Sequence, residues 1–370
     1  MLRKTLTEDS FYLNLGPQHP STHGVLHLLL KLDGERILEC KPLVGYSHRA
    51  HEHMGQNRTY LQFLPNTSRM DYLGGLCYNH AYCLAVEKAC GIQAPERARY
   101  IRTICAELNR ISSHLLWFGA YLMDLGAFTP FLYAFDDRED ILAILGEITG
   151  SRLTYSYCRF GGVSRDLNQN FRDGVKAFIP KLRKRLKDYR TLVTKNVIFL
   201  NRTKGIGVVS PEQARDWALT GPNLRACGVA YDIRRAEPYS VYPEMEFEIP
   251  TATGGDCYDR YWVRMAEMEQ SLRIVEQALG RLPDGPVKTA GVPQWLEPPA
   301  GDYHFSYESP RGHLGIYFVS DGGRVPLRMK WRTPSFNNLS ILSEILPGTL
   351  VADTIAILGS IDVVIPEIDR

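Results

Sequence analysis

Imidazole and phenol side chains gather near the start of the chain in patterns that could do chemistry. The stretch GPQHPSTHGVLHLLLKLDGERI carries His19, His23 and His27 at steps of four, and HRAHEH places His48, His51, Glu52 and His53 within six residues. Three chemistries are open to such residues. Imidazole with carboxylate suits zinc or iron, but HRAHEH lacks the H-E-x-x-H spacing, and the adjacent Glu52 and His53 point apart on a helix or a strand. Nucleophilic hydrolysis would call for a G-x-S-x-G elbow, which the chain does not contain. The third chemistry is proton delivery to a neutral ligand, with His23, Tyr72 in RMDYL and Asp124 offering an imidazole, a phenol and a carboxylate. A quinone becoming a quinol takes two electrons and two protons, so its site needs donors that can be reprotonated. Imidazole and phenol, ordinarily titrating at about 6.5 and about 10, meet that need, and a carboxylate beside the imidazole favours its charged form. Periodicity does not bring these three residues together. Each also has a plain structural reading: Tyr72 as a half-buried aromatic near a helix start, Asp124 as a helix-end charge, His23 as a loop histidine with its hydrogen bonds met.

The elements that must position them can be read along the chain. His19, His23 and His27 cannot share a helix, because Pro17 and Pro20 remove backbone donors and Gly16 and Gly24 invite special dihedrals; residues 16–24 read as a loop. From Val25 onward the period is two, with Leu26, Leu28, Leu30 and Leu32 on one side and His27, Leu29 and Lys31 on the other, so His27 sits on a strand, and Asp33-Gly34 reads as the hairpin turn. Ser68-x-x-Asp71 is a candidate cap for a helix through Leu73, Leu76 and Leu84 that stops at Gly91, and Pro95 opens a longer one. On that second helix Ile101, Ile104, Leu108, Ile111, Leu115, Phe118 and Leu122 form a core-facing stripe. Beside it runs a row of Glu107, Arg110, His114, Trp117, Tyr121 and Asp124, which reads equally as an internal salt-bridge network or as the lining of a cavity. Thr129-Pro130 is expected to break this helix. Helical segments are expected near 136–149 and 171–195, a capping box at Ser210-Pro211-Glu212-Gln213, irregular chain over 221–255, and a last long helix through Tyr261, Met265, Met268, Leu272, Val275 and Leu279. Residues 285–303 read as loop, and HLGIYFVSDGGRVPLRMKWRTP as two strands around an Asp-Gly-Gly turn. The expected architecture is mainly α with peripheral β, an α+β fold, in which strands from both ends meet in one small sheet. Its parts are residues 1–65 (hairpin and loop), 66–282 (helical core) and 283–370 (strands and a last helix packing back on the N-terminal part), forming one intimately packed unit.

Composition narrows the partners. The chain has 370 residues, 44% of them hydrophobic, and a formal net charge of +2, which gives no general case for nucleic acid. The basic run KLRKRLKDYR overlays an apolar spacing of Val175, Ile179, Leu182 and Leu186, as on a solvated helix face. The beginning MLRKTLTEDS has no signal-type apolar segment, and Asp124 and Asp362 interrupt the most apolar later stretches before they reach the ~20 residues of a membrane span; a cytoplasmic location is expected. No two of the eight cysteines form a C-x-x-C pair. That spacing is poor for zinc or for an iron-sulfur cluster held by this chain alone, and the thiols are expected to be reduced.

Seven stretches carry a resemblance: GPQHPSTHGVL, RTYLQFLPNTSRMDYL, ELNRISSHLLWFGAYLMDLGAFTPFLYAF, RFGGV, LTGPNLRACGVAYDIR, ESPRGHLGIYFVSDGG and TPSFNNL. In order and spacing the chain resembles the D subunits of the proton-pumping NADH:quinone oxidoreductases, respiratory complex I, from about residue 12 to the terminal DR. The resemblance implies a core like that of the nickel-iron hydrogenase large subunit. Hydrogenases hold nickel with paired C-x-x-C motifs near both ends; the corresponding SHRAHEHMG and SIDVVIPEIDR contain no cysteine, so hydrogen chemistry is not expected and no metal is held by this chain. It implies instead the head of a quinone chamber, shared with a small subunit that bears the terminal [4Fe-4S] cluster, on the cytoplasmic face of the membrane. Further partners implied are the C subunit, a ferredoxin-like subunit and the membrane subunits, with activity only in the assembly and coupling to proton translocation. The alternatives are a hydrogenase-like protein and a scaffold subunit without quinone chemistry.

Carried over residue by residue, His23 and Tyr72 resemble the two hydrogen-bonding partners of the quinone headgroup, and Asp124, in MDLGAFTP, the carboxylate paired with His23. His19 is left to shape the loop and His27 to face a neighbour. Arg49 and Arg69 resemble arginines near the partner's cluster, where a cation would stabilise the reduced state. The chain departs from the family at two places. Many relatives have HRGxEK where HRAHEH stands, which puts Ala50 and His53 beside Arg49. Many also have a histidine where Thr154 aligns, the group that would make cluster reduction pH-dependent. Threonine does not titrate in that range, so a weaker pH dependence of the partner's cluster is expected.

Overall fold

Leu26, Leu28, Leu30 and Leu32 are buried, as their alternation requires, and they seat the first sheet on the end of the chain. The structure is a computed structural model that describes residues 10–18 and 24–370. His19 and His23, and with them most of the 16–24 loop, lie outside the described residues. Strands β1 (Phe11–Leu15), β2 (His27–Asp33) and β3 (Arg36–Leu43) form an antiparallel sheet in that order. The base of the 16–24 loop is tight. A Cβ on Gly16, whose φ is +90°, would stand 2.0 Å from the Leu26 carbonyl oxygen, so only glycine fits where the chain leaves β1. The β2–β3 turn is Gly34-Glu35, one residue beyond the expected pair, with Asp33 opposite Arg36 and Gly34 supplying the positive φ.

The polypeptide then turns helical. Two short helices, α1 (His51–Gly55) and α2 (Tyr60–Thr67), lead to α3 (Gly75–Cys90), which stops at a left-handed Gly91, and α4 (Glu96–Asp124), which begins after Pro95. The apolar stripe of α4 packs against α5 (Phe128–Thr149) and α11 (Cys257–Gly280), and α6 (Gln169–Tyr189) covers α5. The break after α4 falls at residues 125–127 rather than at Thr129-Pro130. Pro130 sits in the first turn of α5, where its missing N–H is not needed. Pro180 lies within α6, which runs into a π-helical turn at Arg190–Thr194. In the basic run, Lys181 pairs with Asp140, Arg183 with Glu269 and Glu276, and Arg185 with Asp137, so these cations lace α6 to its neighbours. Short strands β4 (Cys158–Arg159) and β5 (Gly162–Val163) precede α6, and α7 (Val197–Thr203), α8 (Pro211–Asp216), α9 (Pro222–Arg225) and α10 (Ile233–Ala236) lie between α6 and α11. The expected capping box opens α8: Ser210 accepts from the Gln213 N–H, and Gln213 reaches back to the Ser210 N–H.

The last quarter holds β6 (Gly301–Ser309), β7 (Gly312–Ser320) and β8 (Arg328–Arg332), followed by α12 (Pro334–Ser340), α13 (Leu342–Ile345), α14 (Val351–Ile361) and α15 (Ile365–Asp369). The expectation of a single sheet from both ends is not met. Among the described residues β6–β8 form their own antiparallel sheet, and β1–β3 another. Backbone pairing explains the separation. The outer edge of the β2–β3 hairpin is met by the segment after α13, through Ile37 N–H to Thr349 O (3.0 Å), Gly348 N–H to Ile37 O (2.7 Å) and Val351 N–H to Glu35 O (3.0 Å). The Trp331 N–H on β8 donates to the Glu52 carboxylate of α1 at 3.0 Å. Both edges are therefore occupied by other elements. The terminal helices nonetheless pack on the first sheet, where Leu342, Ile357, Ile361, Ile365 and Ile368 bury against Leu28, Leu30 and Ile37. The result is an α+β arrangement with a helical centre. No helix among the described residues is long and apolar enough to cross a membrane.

Candidate functional site

Tyr72 is held by a loop that its neighbours pin down on both sides. Thr59 and Gln62 form a capping box at α2, and the chain between α2 and α3 folds on Asp71, whose Oδ1 accepts from the Leu73 and Gly74 N–H groups at 3.0 Å each. Asn109 of α4 clamps the same turn, accepting from the Leu76 N–H (3.1 Å) and donating to the Leu73 carbonyl (2.9 Å). Tyr72 is half-buried between these anchors.

The second half of the cluster arrives from β6–β7. Their two-residue turn, Pro310-Arg311, is driven into the interior by a backbone-on-backbone contact: a Cβ on Gly312 would stand 2.6 Å from the Gly221 nitrogen. That approach delivers Arg311, fully buried, to Asp71 at 2.6 Å, to Asp362 at 3.5 Å and to the Ser113 hydroxyl at 3.2 Å. Asp362 ends α14 with φ 58°, a left-handed conformation that costs a non-glycine residue, and from it the carboxylate faces Arg264 (3.8 Å) as well as Arg311. Burial pushes the Tyr72 phenol up; Arg311 works against that, and Asp71 and Asp362 add to it. Glu367 on α15 completes the group. Its carboxyl accepts from the Ser335 N–H at 2.7 Å and is raised to about 7 by burial and by Asp71, with Arg311 opposing.

The segments with no cysteine near the two ends of the chain meet beside this cluster. Asp369 accepts from the Gly45 and Ser47 N–H groups at 2.8 and 2.7 Å, and His48 Nδ1 lies 2.6 Å from the Asp369 carbonyl oxygen. Arg49, exposed, donates to the Arg69 carbonyl, and Arg69, also exposed, donates to Pro65 O. The two arginines are thus brought together three residues before Tyr72. His51, next to them, is 2% exposed with both ring nitrogens unpartnered among the described residues. Its imidazole is lowered to about 4 by burial and by the surrounding cations Arg49, His48, Arg69 and Arg58. No three His, Cys, Asp or Glu side chains among the described residues come together as a metal site.

Asp124 and Thr154 stand elsewhere. Asp124 is partly buried at the end of α4, eleven residues beyond Ser113, which is about 16 Å of helix rise. Whether it meets His23 falls outside the described residues. Thr154 lies in the loop after α5 with φ 52°. His27, on β2, faces Asn14 of β1 (2.8 Å) and the Tyr46 hydroxyl (3.2 Å).

The ionisable row of α4 resolves into an internal ion-pair network rather than a cavity lining. Glu107 accepts from Arg110 and Arg234 (3.2 Å each) and from the Tyr242 and Ser271 hydroxyls (2.6 and 2.7 Å). Burial would push its carboxyl up, but those partners outweigh burial and hold it low. Arg225 bridges Glu267 (2.6 Å) and Glu308 (2.8 Å), and His114 Nε2 stands 3.1 Å from Glu267. Trp117 donates to Gly359 O at 2.7 Å.

Sequence reasoning missed Arg311 and Glu367 and gave Asp71 only a capping role. A Pro-Arg-Gly turn between two apolar strands was a signal for Arg311. Glu367 carries none beyond being an acid among apolar neighbours.

Comparison with known proteins identifies the family of the chain. Residues 124–295 and 290–370 match the family model described as respiratory-chain NADH dehydrogenase, 49 Kd subunit. The chain is 63% identical over 365 residues to the D subunit of the NADH-quinone oxidoreductase of Syntrophobacter fumaroxidans, covering 99% of this chain and 98% of that one. It is 55% identical to the corresponding D subunit of Desulfotalea psychrophila (98% of each chain) and 52% identical to the D 2 subunit of Opitutus terrae (98% and 91%). The chain belongs to the D-subunit family of respiratory complex I, the NADH-quinone oxidoreductases. It is thus one part of a multi-subunit oxidoreductase, with other complex I subunits as its partners.

Proposed function

We propose that this chain forms the quinone reduction site of its complex together with the small subunit that bears a [4Fe-4S] cluster. Tyr72 and the pair His23/Asp124 serve as the proton donors. The observation that carries the reading is the half-buried Tyr72 phenol at the edge of a buried cluster of opposite charges, Asp71, Arg311 and Asp362. Such a phenol has a fixed position and an adjustable acidity, which a proton donor to a neutral headgroup needs. The partner's cluster, when present, would supply the two electrons one at a time; on this chain one proton leaves the Tyr72 hydroxyl and one the His23 imidazolium, and both groups are reprotonated from solvent. Arg49 and Arg69, paired and exposed three residues from Tyr72, form the cationic surface toward the cluster. The junction of residues 45–48 with Asp369 supports descent from a hydrogenase-like core, since these are the regions that hold nickel thiolates there. The C subunit, a ferredoxin-like subunit and membrane subunits make up the rest of the assembly on the cytoplasmic face of the membrane, where quinone reduction is coupled to proton translocation.

Tyr72→Phe keeps the ring and removes the hydroxyl. In the assembled complex the expected outcome is a loss of turnover with short-chain quinones of about tenfold or more, with assembly intact. Full turnover would remove Tyr72 from the site. Photoaffinity labelling by a quinone analogue near Tyr72 separates this reading from a scaffold role.

A further inference from the structure

The charges around Tyr72 do not pair off evenly. Asp71 and Asp362 each face an arginine, Arg311 and Arg264. Glu367, fully buried, makes no ion pair within 4.0 Å among the described residues, and its Oε2 has no hydrogen-bond partner among them. The Tyr78 hydroxyl, also buried without a partner among the described residues, lies against the Glu367 carboxyl. The charged and titratable groups facing Glu367 are Asp71 from the loop before α3, Tyr78 on α3, Arg311 from the β6–β7 turn and Arg332 on β8. Arg311 and Arg264 are committed to carboxylates and Arg332 to Thr220 and the His313 and Ala218 carbonyls, so the buried carboxyl left without an ion pair is most stable as the neutral acid.

We propose that Glu367 is a positioning residue for proton donation by Tyr72, acting through Arg311. As the neutral acid it leaves the positive field of Arg311 on the phenol; once ionised it cancels part of that field and makes Tyr72 a weaker acid. The inference rests on the quinone-site reading above. No proton passes from Glu367 to the quinone: its Oε2 proton leaves to solvent, and the new carboxylate faces Arg311. The shared neighbours carry the effect, because Asp71 and Arg311 are the groups common to Tyr72 and Glu367. Burial and Asp71 set the ionisation at about 7, within the working range of a cell.

The test is quinone turnover by the assembled complex between about pH 6 and pH 9, for the native chain, Glu367→Gln and Glu367→Asp. The native complex is expected to lose about three- to tenfold in turnover across this range, the effect of one added charge at cluster distance. Glu367→Gln should match the acid plateau and hold it to higher pH. Glu367→Asp, which keeps a carboxyl but withdraws it from Tyr78, should retain the decline with a moved midpoint. A Glu367→Gln profile that follows the native one, or that is lowered equally at every pH, overturns the proposal. If Glu367→Gln fails to assemble, an unmoved midpoint in Glu367→Asp does so. Tyr72→Phe is run in the same series. Full turnover there defeats the quinone-site reading itself, whereas a loss there with an unaltered Glu367→Gln profile defeats this inference alone.

Discussion

Two buried charge clusters meet α4, one through Glu107, Arg110 and His114 and the other through Ser113, and their carboxylates are paired to different degrees. Around Glu107 and Glu267 every buried carboxylate faces at least one cation and the Tyr242 and Ser271 hydroxyls add to Glu107, so that all carboxylates of this cluster are paired although His114 Nδ1 has no hydrogen bond among the described residues. Around Arg311 three carboxyl groups have ion pairs only with Arg311 and Arg264 while Arg332 spends its donors on Thr220 and backbone carbonyls, a glutamate oxygen and a phenol are left over, and an aspartate sits in a left-handed conformation. Saturated networks in a low-dielectric interior fix one geometry and resist titration. An unsaturated one can change its protonation at modest cost. The comparison leaves the first cluster a structural role, and the proposed proton donation falls beside the second, whose Arg311, Asp71 and Asp362 act on the Tyr72 phenol.

The largest effect should come from breaking the saturated side. Glu107→Leu leaves Arg110 with only backbone carbonyls and Arg234 with only Asp232 as anionic partner. Removing one member of a buried pair costs about 3–5 kcal/mol, so thermal unfolding should occur well below that of the native chain. A loss under about 1 kcal/mol would show that the network tolerates an unpaired arginine and that saturation is not what distinguishes the clusters.

The unsaturated side should respond with the opposite sign. Glu367 has its folded-state ionisation raised from an ordinary 4.5 to about 7. Its contribution to stability is therefore fully present below about pH 4.5, and it is lost as pH rises to about 7, where the folded state must give up the proton as well. Glu367→Gln removes that loss and is expected to stabilise the chain at pH 8 by on the order of 3 kcal/mol relative to its effect at pH 4. Chemical unfolding at the two pH values measures it. A pH-independent difference would mean that Glu367 ionises in the folded chain as it does in the unfolded one, and a difference of the opposite sign that it is held ionised, like Glu107.

This contrast also marks what the sequence could say. The α4 row was legible because periodicity over 29 residues separates an apolar face from a polar one. Gly91, Pro95 and the Ser210 box were legible because helix ends have local rules. Whether the polar row lined a cavity or paired internally depended on Arg225, Arg234 and Glu308, which reach it from more than a hundred residues away. Arg311 and Asp71 are 240 residues apart and meet only because a glycine contact pushes one turn inward. The single-sheet expectation failed for a similar reason, since strand propensity does not tell which edge a distant loop will cover. Tyr72 could be named from its phenol as one possible proton donor beside a plainer structural reading, whereas Arg49 and Arg69 entered only through family resemblance, and the composition of their surroundings would not have singled them out.

Thr154 tests the comparison at its weakest point, a position that belongs to neither cluster. It is a β-branched residue at φ 52°, where the side chain crowds the backbone. Glycine carries no such penalty, so Thr154→Gly is expected to stabilise the chain by about 1 kcal/mol in unfolding experiments, net of the entropy glycine returns to the unfolded state. The family resemblance leads one to expect histidine there, and Thr154→His introduces a titratable group without removing an ion pair. In the assembled complex it should steepen the pH dependence of the partner's cluster potential while leaving the Glu367-linked decline in turnover where it was. If Thr154→His moved that decline, the loop after α5 and the Arg311 cluster would be electrostatically one site, and the division drawn between the paired and unpaired regions would have to be redrawn around α4 as a whole.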